Sequence, residues 1–312
     1  METILVTGGA GYLGGALSQK LLRSGHQVRV LDSLRFGGQA LLPLLAEPGF
    51  RFFPGDVRDP EAVARALDGV DAVVHLAAVV GDPNCAAEPE LAVAVNQEAS
   101  LALLRAVGKR RMVFASTCSN YGRMADTSVL ATEEHELRPV SLYAETKVAV
   151  ERALLEAGHT VLRFATLYGL AARTRFDLTV NQFAAEMQVL GKITVFGEQF
   201  WRPYVHVQDA AAGIALALSS PREKVAGEVF NVGATTENYR KQDIIELVQQ
   251  RLRRKAEVIR VARNEDPRDY RVSFDKIATR LGFKPERTVA HGIDEVVSAF
   301  ESGIFRPSEI GA

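Results

Sequence analysis

The sequence has few cysteines, no excess of either charge and no long apolar run, and each absence narrows the function. Only two cysteines, Cys85 and Cys118, occur in 312 residues, so a disulfide framework is not expected. The formal net charge is -1, which does not favour nucleic acid or an anionic membrane as a partner. No apolar run approaches the length of a membrane span, and the first one begins too early to leave room for a signal peptide. These absences predict a cytoplasmic protein without nucleic acid or membrane partners.

Apolar residues, in contrast, are plentiful and make up 47% of the 312 residues. This is enough for a large core with one principal domain and a smaller appended one. The sequence contains no internal repeat and no low-complexity tract. We therefore expect a globular chain with two lobes and a cleft between them.

A glycine-rich segment follows a short apolar run, residues 4–6, that is typical of a buried parallel strand. The segment has the spacing Gly9-x-Gly11-x-x-Gly14, and a helical pattern then continues to Ser24. Glycines here allow a tight turn, close approach of a pyrophosphate to the backbone and close packing of helix on strand. The start of the helix offers N–H groups and a partial positive charge to phosphates. The segment predicts a dinucleotide-binding loop, and the alternative is a glycine turn without a ligand.

An acidic residue closes the next apolar strand, residues 27–31, and is placed to select the cofactor. Asp32 can accept hydrogen bonds from the adenosine ribose of a bound dinucleotide. A carboxylate at this point would repel a 2′-phosphate, which favours NAD over NADP. Arg35 lies close enough in the sequence to weaken this preference without reversing it. We therefore predict NAD as the cofactor.

Apolar strands alternate with helical patterns along most of the chain. Further strands are predicted at 50–53, 72–76, 112–115, 160–164, 194–197, 204–207 and 229–233, and helices at 88–107, 178–190, 209–218, 241–254 and from Ser141. Such alternation predicts an α/β fold with a doubly wound parallel sheet, whose ligands lie beyond the carboxyl ends of the strands. We expect a nucleotide-binding domain over residues 1–165, to which 204–235 returns, and a substrate-binding lobe formed by 166–203 and 236–312.

A tyrosine and a lysine lie four residues apart on the helix predicted from Ser141. Tyr143 and Lys147 therefore share one helix face and can reach the same site. A phenol with a reference pKa of about 10 is a poor base at neutral pH, and an adjacent ammonium together with the positive nicotinamide ring of the cofactor favours its ionised form. Together with the dinucleotide loop, the pair predicts hydride chemistry on a hydroxyl group. Without that loop, both side chains would be interpreted as surface residues.

The chain resembles the nucleotide-sugar epimerases and dehydratases of the extended short-chain dehydrogenase/reductase family over almost its whole length. The resemblance rests on residues 7–14, Asp32, Gly55-Asp56-Val57, Leu76-Ala77-Ala78, Asn96, Ser116-Thr117 with Tyr121-Gly122, Tyr143 with Lys147, Val205-His206-Val207 with Asp209, and Phe230-Asn231-Val232-Gly233. It implies a Rossmann-type doubly wound parallel sheet with a smaller C-terminal α/β lobe. It also implies NAD as the cofactor, a nucleotide-diphosphate sugar as the substrate and a homodimer.

The same resemblance assigns roles to individual residues. It implies cofactor contacts for Gly8, Gly11, Tyr12, Leu13, Gly14, Asp32, Asp56, Val57, Leu76, Ala77, Ala78, Asn96 and Lys147. In the implied reaction Tyr143 takes a proton from a sugar hydroxyl while hydride passes to NAD, and Thr117 or its neighbour Ser116 assists the transfer. Lys147 also holds the nicotinamide ribose. Substrate contacts are implied for Thr117, Thr166, Asn181, Arg202 and Arg268. The two arginines would face the diphosphate, and the alternative for each is a surface ion pair.

Three positions bear on which activity of the family to expect. Sugar 4,6-dehydratases of the family carry an Asp-Glu pair where this chain has Cys118 and Ser119, so dehydratase activity is not expected. Family epimerases that use a cysteine in this region would align it with Ser119, so we expect a packing role for Cys118. Thr166 stands where UDP-galactose 4-epimerases have asparagine, which argues against identity with that enzyme.

The sequence therefore predicts an NAD-dependent nucleotide-sugar epimerase that acts at C4 through a transient 4-keto sugar, similar to UDP-glucose 4-epimerase. The first alternative is a nucleotide-4-keto-sugar reductase that consumes NADH or NADPH. The second is a catalytically inactive NAD-sensing binding protein. Intact Tyr143, Lys147 and Thr117 argue against the second alternative, because a sensor need not keep proton-transfer groups.

Overall fold

A computed structural model describes residues 1–261 and 268–310 of the chain. The strands are β1 Thr3–Thr7, β2 Gln27–Asp32, β3 Phe50–Pro54, β4 Ala72–His75, β5 Arg111–Thr117, β6 Thr160–Phe164, β7 Thr166–Tyr168, β8 Lys192–Val195, β9 Trp201–His206, β10 Val229–Val232, β11 Asn238–Arg240 and β12 Glu257–Arg260. The helices are α1 Tyr12–Arg23, α2 Pro60–Leu67, α3 Asp82–Ala87, α4 Pro89–Val93, α5 Ser100–Val107, α6 Leu142–Glu156, α7 Thr179–Leu190, α8 Val207–Ser219, α9 Arg222–Val225, α10 Lys241–Gln249, α11 Asp275–Leu281 and α12 Val289–Glu301.

Seven strands form one parallel sheet in the order β10-β6-β5-β4-β1-β2-β3. In the middle of the sheet Val6 of β1 lies opposite Val30 of β2 on one side and Val74 of β4 on the other. All three valines are fully buried, as expected of strands covered by helices on both faces. The chain changes direction across the sheet between β1 and β4, and ligands of doubly wound sheets bind at such a switch point. The predicted fold class is confirmed.

The helices beside this switch point begin at different local signals. Helix α2 begins after Asp59, whose carboxylate accepts a hydrogen bond from the backbone of Glu61. Helix α6 begins after Ser141, whose hydroxyl accepts from the backbone of Ala144. Helix α1 instead follows Gly11, with no side-chain cap and no acidic residue in its first turn. The first N–H groups of α1 therefore point out of the helix without a side-chain acceptor of their own.

Within residues 1–261 and 268–310, two short sheets and three helices lie in the region predicted to be mainly the substrate-binding lobe. The sheets have the strand orders β11-β9-β7 and β12-β8, and their helices are α7, α10 and α12. Val180, Ile244 and Ile293, one from each helix, are fully buried in a core separate from that of the large sheet. The division of the chain into domains at residues 165, 203 and 235 stays a prediction.

The elements differ from the predicted ones where side chains interrupt the regular patterns. The helix predicted over 88–107 consists of α4, a π-helical turn Ala94–Ala99 and α5. The π turn adds a residue to the helix and carries Asn96, whose amide bonds the loop after β4. The short strands β7, β11 and β12 and the helices α3, α9, α11 and α12 were not predicted individually. No helix within residues 1–261 and 268–310 is long and apolar enough to cross a membrane.

Candidate active site

The glycine loop between β1 and α1 has the backbone geometry that a bound pyrophosphate requires. Gly8 has φ +72°, and a Cβ on it would lie 2.7 Å from the Ala77 nitrogen at the end of β4. A Cβ on Gly14 would lie 2.2 Å from the Gly8 carbonyl oxygen. A Cβ on Gly11 would lie 3.1 Å from that same carbonyl oxygen, which is also a tight contact. The three glycines thus permit close packing, and the uncapped start of α1 beside them fits an anionic group.

Two of the predicted cofactor-binding acids follow β2 and β3, and both already have partners. The carboxylate of Asp32 accepts from the Ala10 nitrogen at 3.0 Å and from the Leu34 nitrogen at 2.8 Å. Asp32 therefore also ties the glycine loop to the end of β2. Asp56 accepts hydrogen bonds from the backbone and the guanidinium of Arg58, and these bonds lower the pKa of Asp56.

The other predicted cofactor contacts lie at the start of α1 and in the segments that follow β3 and β4. They are Tyr12 and Leu13 in the first turn of α1, Val57 after β3, and Leu76, Ala77 and Ala78 after β4. Asn96 is fully buried, and its amide accepts from the Val79 nitrogen at 2.7 Å and donates to the Val79 oxygen at 2.9 Å. Asn96 thus holds the loop after β4 in place beside the glycine loop.

A buried histidine that the sequence analysis did not single out joins three elements under this loop. His75, at the end of β4, is fully buried, with the Thr7 hydroxyl 2.6 Å from Nδ1 and the Ser100 hydroxyl 2.8 Å from Nε2. Burial, with a smaller effect from the charge of Lys147, lowers the pKa of His75 to about 3. The imidazole therefore stays neutral and links β1, β4 and α5 below the cofactor side of the site.

Lys147 is buried on the same side and is already oriented. Its ammonium donates to the Ala115 carbonyl at 2.9 Å and lies 4.6 Å from the ring centroid of Phe114. Burial lowers the pKa of Lys147 to about 8. The ammonium thus occupies one direction with a backbone oxygen and keeps further N–H donors for a ligand.

Tyr143 lies one helical turn before Lys147 on α6 and is partly buried. Burial raises the pKa of Tyr143 well above its usual value, and the nearby Arg175 guanidinium opposes this shift. Lys147 directs its ammonium to the Ala115 carbonyl, so in the protein alone the loss of water contact dominates the pKa of the phenol. The stabilisation of the phenolate by Lys147 together with the positive nicotinamide ring stays a prediction. Arg175, absent from the sequence analysis, is the cation that acts on this phenol.

The two hydroxyls predicted to assist Tyr143 point to different surroundings. The Ser116 hydroxyl donates to Glu151 at 2.8 Å and accepts from the Asn120 amide at 3.0 Å. Glu151 is also paired with Arg163, and both are buried. Thr117 is the last residue of β5, and among the described residues Ser116, Asn120, Glu151 and Arg163 its hydroxyl has no hydrogen-bond partner. It accepts a hydrogen bond from the Ser119 nitrogen at 3.1 Å.

The next two residues show what replaces the carboxylate pair of dehydratases. Cys118 is fully buried, and its thiol faces the Arg163 carbonyl oxygen at 3.3 Å. Burial raises the pKa of Cys118 well above its usual value, which agrees with the predicted packing role. The Ser119 hydroxyl lies 3.3 Å from the hydroxyl of Tyr270, a buried tyrosine that the sequence analysis did not single out.

The predicted arginines of the substrate side are brought together by the fold. Arg202 is buried, donates to the Arg268 carbonyl at 2.8 Å and stacks over the Tyr270 ring at 5.2 Å. Arg268 forms an ion pair with Asp82 at 2.9 Å. Asp82 in turn accepts from the hydroxyl of Ser141, which caps the helix carrying Tyr143. The arginine pair is therefore linked through Asp82 to the start of the helix that carries Tyr143.

Thr166 and Asn181, the remaining predicted substrate contacts, differ in accessibility. Thr166 begins β7, where it pairs with Tyr204 of β9, and is partly exposed. Asn181 is fully buried, and its amide accepts from the Gly169 nitrogen at 2.8 Å and donates to the Arg175 carbonyl at 2.9 Å. Asn181 therefore shapes the segment between β7 and α7.

A separate surface cavity of about 460 Å³ lies between α1, α8 and the segment after α11. Its lining includes Lys20, Arg23, Gln208 and Arg287. None of the predicted site residues lines it, so this cavity is distinct from the candidate site.

A parallel sheet with a glycine loop at its switch point, an acid after β2 and a Tyr-Lys pair on α6 define the class of short-chain dehydrogenases/reductases. Within that class the chain belongs to the NAD-dependent epimerase/dehydratase family, whose model matches residues 4–233. The resemblance inferred from the sequence is therefore confirmed, as is NAD as the cofactor. Membership of this family identifies the protein as an NAD-dependent epimerase or dehydratase.

Three relatives of similar sequence identity to this chain include both a dehydratase and epimerases. A dTDP-glucose 4,6-dehydratase of Streptomyces niveus is 31% identical over 94% of this chain and 91% of its own length. A UDP-glucose 4-epimerase of Corynebacterium glutamicum is 30% identical over 96% of each. The crystal structure of UDP-glucose 4-epimerase from Thermus thermophilus in complex with NAD is 30% identical, with a TM-score of 0.84 over 96% of this chain and 99% of that one. Identity alone does not separate the two activities.

Proposed function

We propose that the chain is a nucleotide-sugar epimerase that inverts C4 of the sugar through a transient 4-keto form. The observation that carries the proposal is the end of β5, where Cys118 and Ser119 replace a carboxylate pair while Tyr143 and Lys147 are intact. Elimination of water requires an acid and a base in addition to the tyrosine. A buried thiol with a raised pKa, facing the Arg163 carbonyl oxygen, supplies neither.

In the proposed reaction Tyr143 takes the proton of the C4 hydroxyl and returns it. NAD, when bound, supplies the acceptor for the hydride of that carbon and gives it back. Thr117 is the better candidate than Ser116 for the assisting hydroxyl, because the Ser116 hydroxyl is engaged by Glu151 and Asn120. Lys147, held by Ala115, keeps donors for the nicotinamide ribose.

The proposed substrate is a nucleotide-diphosphate sugar. Arg202 and Arg268 lie together next to the start of α6, and two guanidinium groups suit a diphosphate through bidentate charge-assisted bonds. The relatives named for UDP-glucose and dTDP-glucose support this substrate class. Thr166 and Asn181 would line the remaining wall of the sugar or nucleotide pocket. The homodimer stays a prediction.

The experiment that tests the proposal is incubation of the purified protein with UDP-glucose, UDP-galactose and dTDP-glucose, followed by proton NMR. We expect the C4 epimer of one of these sugars, with no change in absorbance at the reduced-nicotinamide band. A 4-keto-6-deoxy product would instead establish a dehydratase. Stoichiometric oxidation of NADH by a 4-keto sugar, without epimerisation, would establish the reductase. Tight NAD binding without conversion across a wider nucleotide-sugar panel would favour the NAD-sensing protein.

A further inference from the structure

The segment 169–177 between β7 and α7, here called the strap, is anchored to the cofactor loop. The hydroxyl of Tyr12, the first residue of α1, donates to the Gly169 carbonyl at 2.5 Å. Asn181 holds both ends of the strap through the Gly169 nitrogen and the Arg175 carbonyl. The Leu170 nitrogen also donates to Glu295 of α12 at 3.1 Å. The position of the strap is therefore set from the cofactor side and from the smaller lobe together.

Two arginines extend from the strap to opposite ends of the cofactor side. The Arg173 guanidinium lies 4.5 Å from the ring centroid of Phe36, and its charge interacts with Asp32 at the end of β2. The charge of Arg175 interacts instead with the hydroxyls of Tyr143 and Tyr12. The strap thus reaches from the acid predicted to contact the adenosine ribose to the catalytic tyrosine.

The charges of the strap do not balance. Arg175 pairs with Asp177 at 2.5 Å, but Arg173 forms no ion pair with any acid in residues 1–261 or 268–310. Burial, and then repulsion from Arg175, lower the pKa of Arg173. An anion bound between the strap and the glycine loop would offset both effects, because it would compensate a partly buried guanidinium.

We propose that Arg173 binds the pyrophosphate of NAD and that the strap thereby slows release of the cofactor. A pyrophosphate at the uncapped start of α1 lies beside Tyr12, the residue that anchors the strap. The Phe36 ring keeps the guanidinium on the Asp32 side of the glycine loop, and the Asp32 carboxylate is itself bonded to the Ala10 nitrogen of that loop. The inference rests on the NAD cofactor of the family and does not depend on which sugar is converted.

The test is the rate of NAD release from Arg173→Gln in the full-length protein, without any sugar. We expect release about ten- to a hundredfold faster than in the wild type, as for the loss of a charge-assisted bond. The dissociation constant for NAD should also depend less steeply on salt. The matched control is Arg35→Gln, because the Arg35 guanidinium faces the same ring at 5.7 Å but is paired with Glu88. We expect the control to release NAD at the wild-type rate.

A second variant separates the strap contact from folding. Phe36→Leu removes the ring but no charge, and we expect a smaller acceleration of about two- to fivefold. Thermal unfolding of the NAD-free proteins checks that Arg173→Gln folds, and Arg173→Met, which also removes the charge, takes its place in the same release assay if it does not. Wild-type release from the folded Arg173 variant, or equal acceleration in Arg35→Gln, overturns the proposal. Because no sugar is present, neither result depends on the proposed epimerase activity.

Discussion

The predicted cofactor side and the predicted substrate side of the site are built by different means. On the cofactor side, the backbones of Gly8 and Ala77 approach closely, and buried polar groups such as His75 link neighbouring strands. On the substrate side, Arg202 and Arg268 come from segments far apart in the chain and meet through a carbonyl and Tyr270. The first side is determined by strand packing, whereas the second depends on the docking of the smaller lobe.

This contrast implies that substitutions on the two sides should affect different measurements. Changes on the cofactor side should alter NAD affinity and stability, since the same contacts hold the sheet together. Changes on the substrate side should alter sugar binding and leave NAD affinity unchanged. Tyr143 lies where the two sides meet and should affect neither binding step.

The largest effect is expected for Tyr143→Phe, at the junction of the two sides. Removal of the hydroxyl should reduce turnover by about a hundredfold or more, the usual scale for a lost acid–base group. NAD affinity should stay near the wild-type value, because the hydroxyl is not part of the glycine loop. Turnover numbers on the converted sugar, with NAD titrated separately, provide the check. Wild-type turnover would rule out Tyr143 as the proton-transfer group.

A smaller effect, confined to the substrate side, is expected for Arg202→Gln. Loss of one guanidinium should weaken binding of UDP or dTDP about ten- to a hundredfold, as for other hydrogen bonds to charged groups. Arg240→Gln is the matched control, because Arg240 lies over Trp201 nearby but is partly exposed and paired with Asp243. Calorimetric titration with each nucleotide measures the difference. A parallel loss of NAD affinity in Arg202→Gln would contradict the separation of the two sides.

The two sides also differ in how far they could be predicted from the sequence. The glycine spacing, Asp32 and the pair Tyr143 and Lys147 are local patterns whose geometry follows from a strand, a turn or one helix face. Arg175, Asp82 and Tyr270 could not be predicted in this way, because their positions depend on how distant segments pack. His75 was missed for another reason, since a histidine ending an apolar strand gives no sign that both nitrogens find buried partners.

The pH dependence of stability tests the buried network of the cofactor side. The unfolded chain protonates His75 near its usual pKa of about 6.5, whereas folded His75 has a pKa of about 3. Below about pH 6.5 the unfolded state therefore binds the extra proton, and folding stability falls as the pH decreases toward 3. The expected slope is at most about 1.4 kcal/mol per pH unit. In denaturant unfolding at several pH values, His75→Gln should lose less stability than the wild type across this window. Parallel curves for both proteins would contradict a neutral His75.

The smallest effect is expected for cofactor preference in variants of Asp32. These variants test whether Asp32 selects NAD through its charge or through the shape that it gives the glycine loop. Its carboxylate both repels a 2′-phosphate and bonds the Ala10 and Leu34 nitrogens. Asp32→Asn removes the charge but keeps one oxygen that can accept from one of these nitrogens. Asp32→Ala removes the charge and both acceptor oxygens. We expect the ratio of NADP to NAD affinity to rise severalfold in both variants, because repulsion is lost in each. Only Asp32→Ala should weaken NAD binding itself, by about tenfold, through the loosened loop. Tighter binding of NADP than of NAD by the wild type would refute the selection of NAD by Asp32. Equal NAD affinity in the two variants would show that the glycine loop keeps its shape without the hydrogen bonds of Asp32.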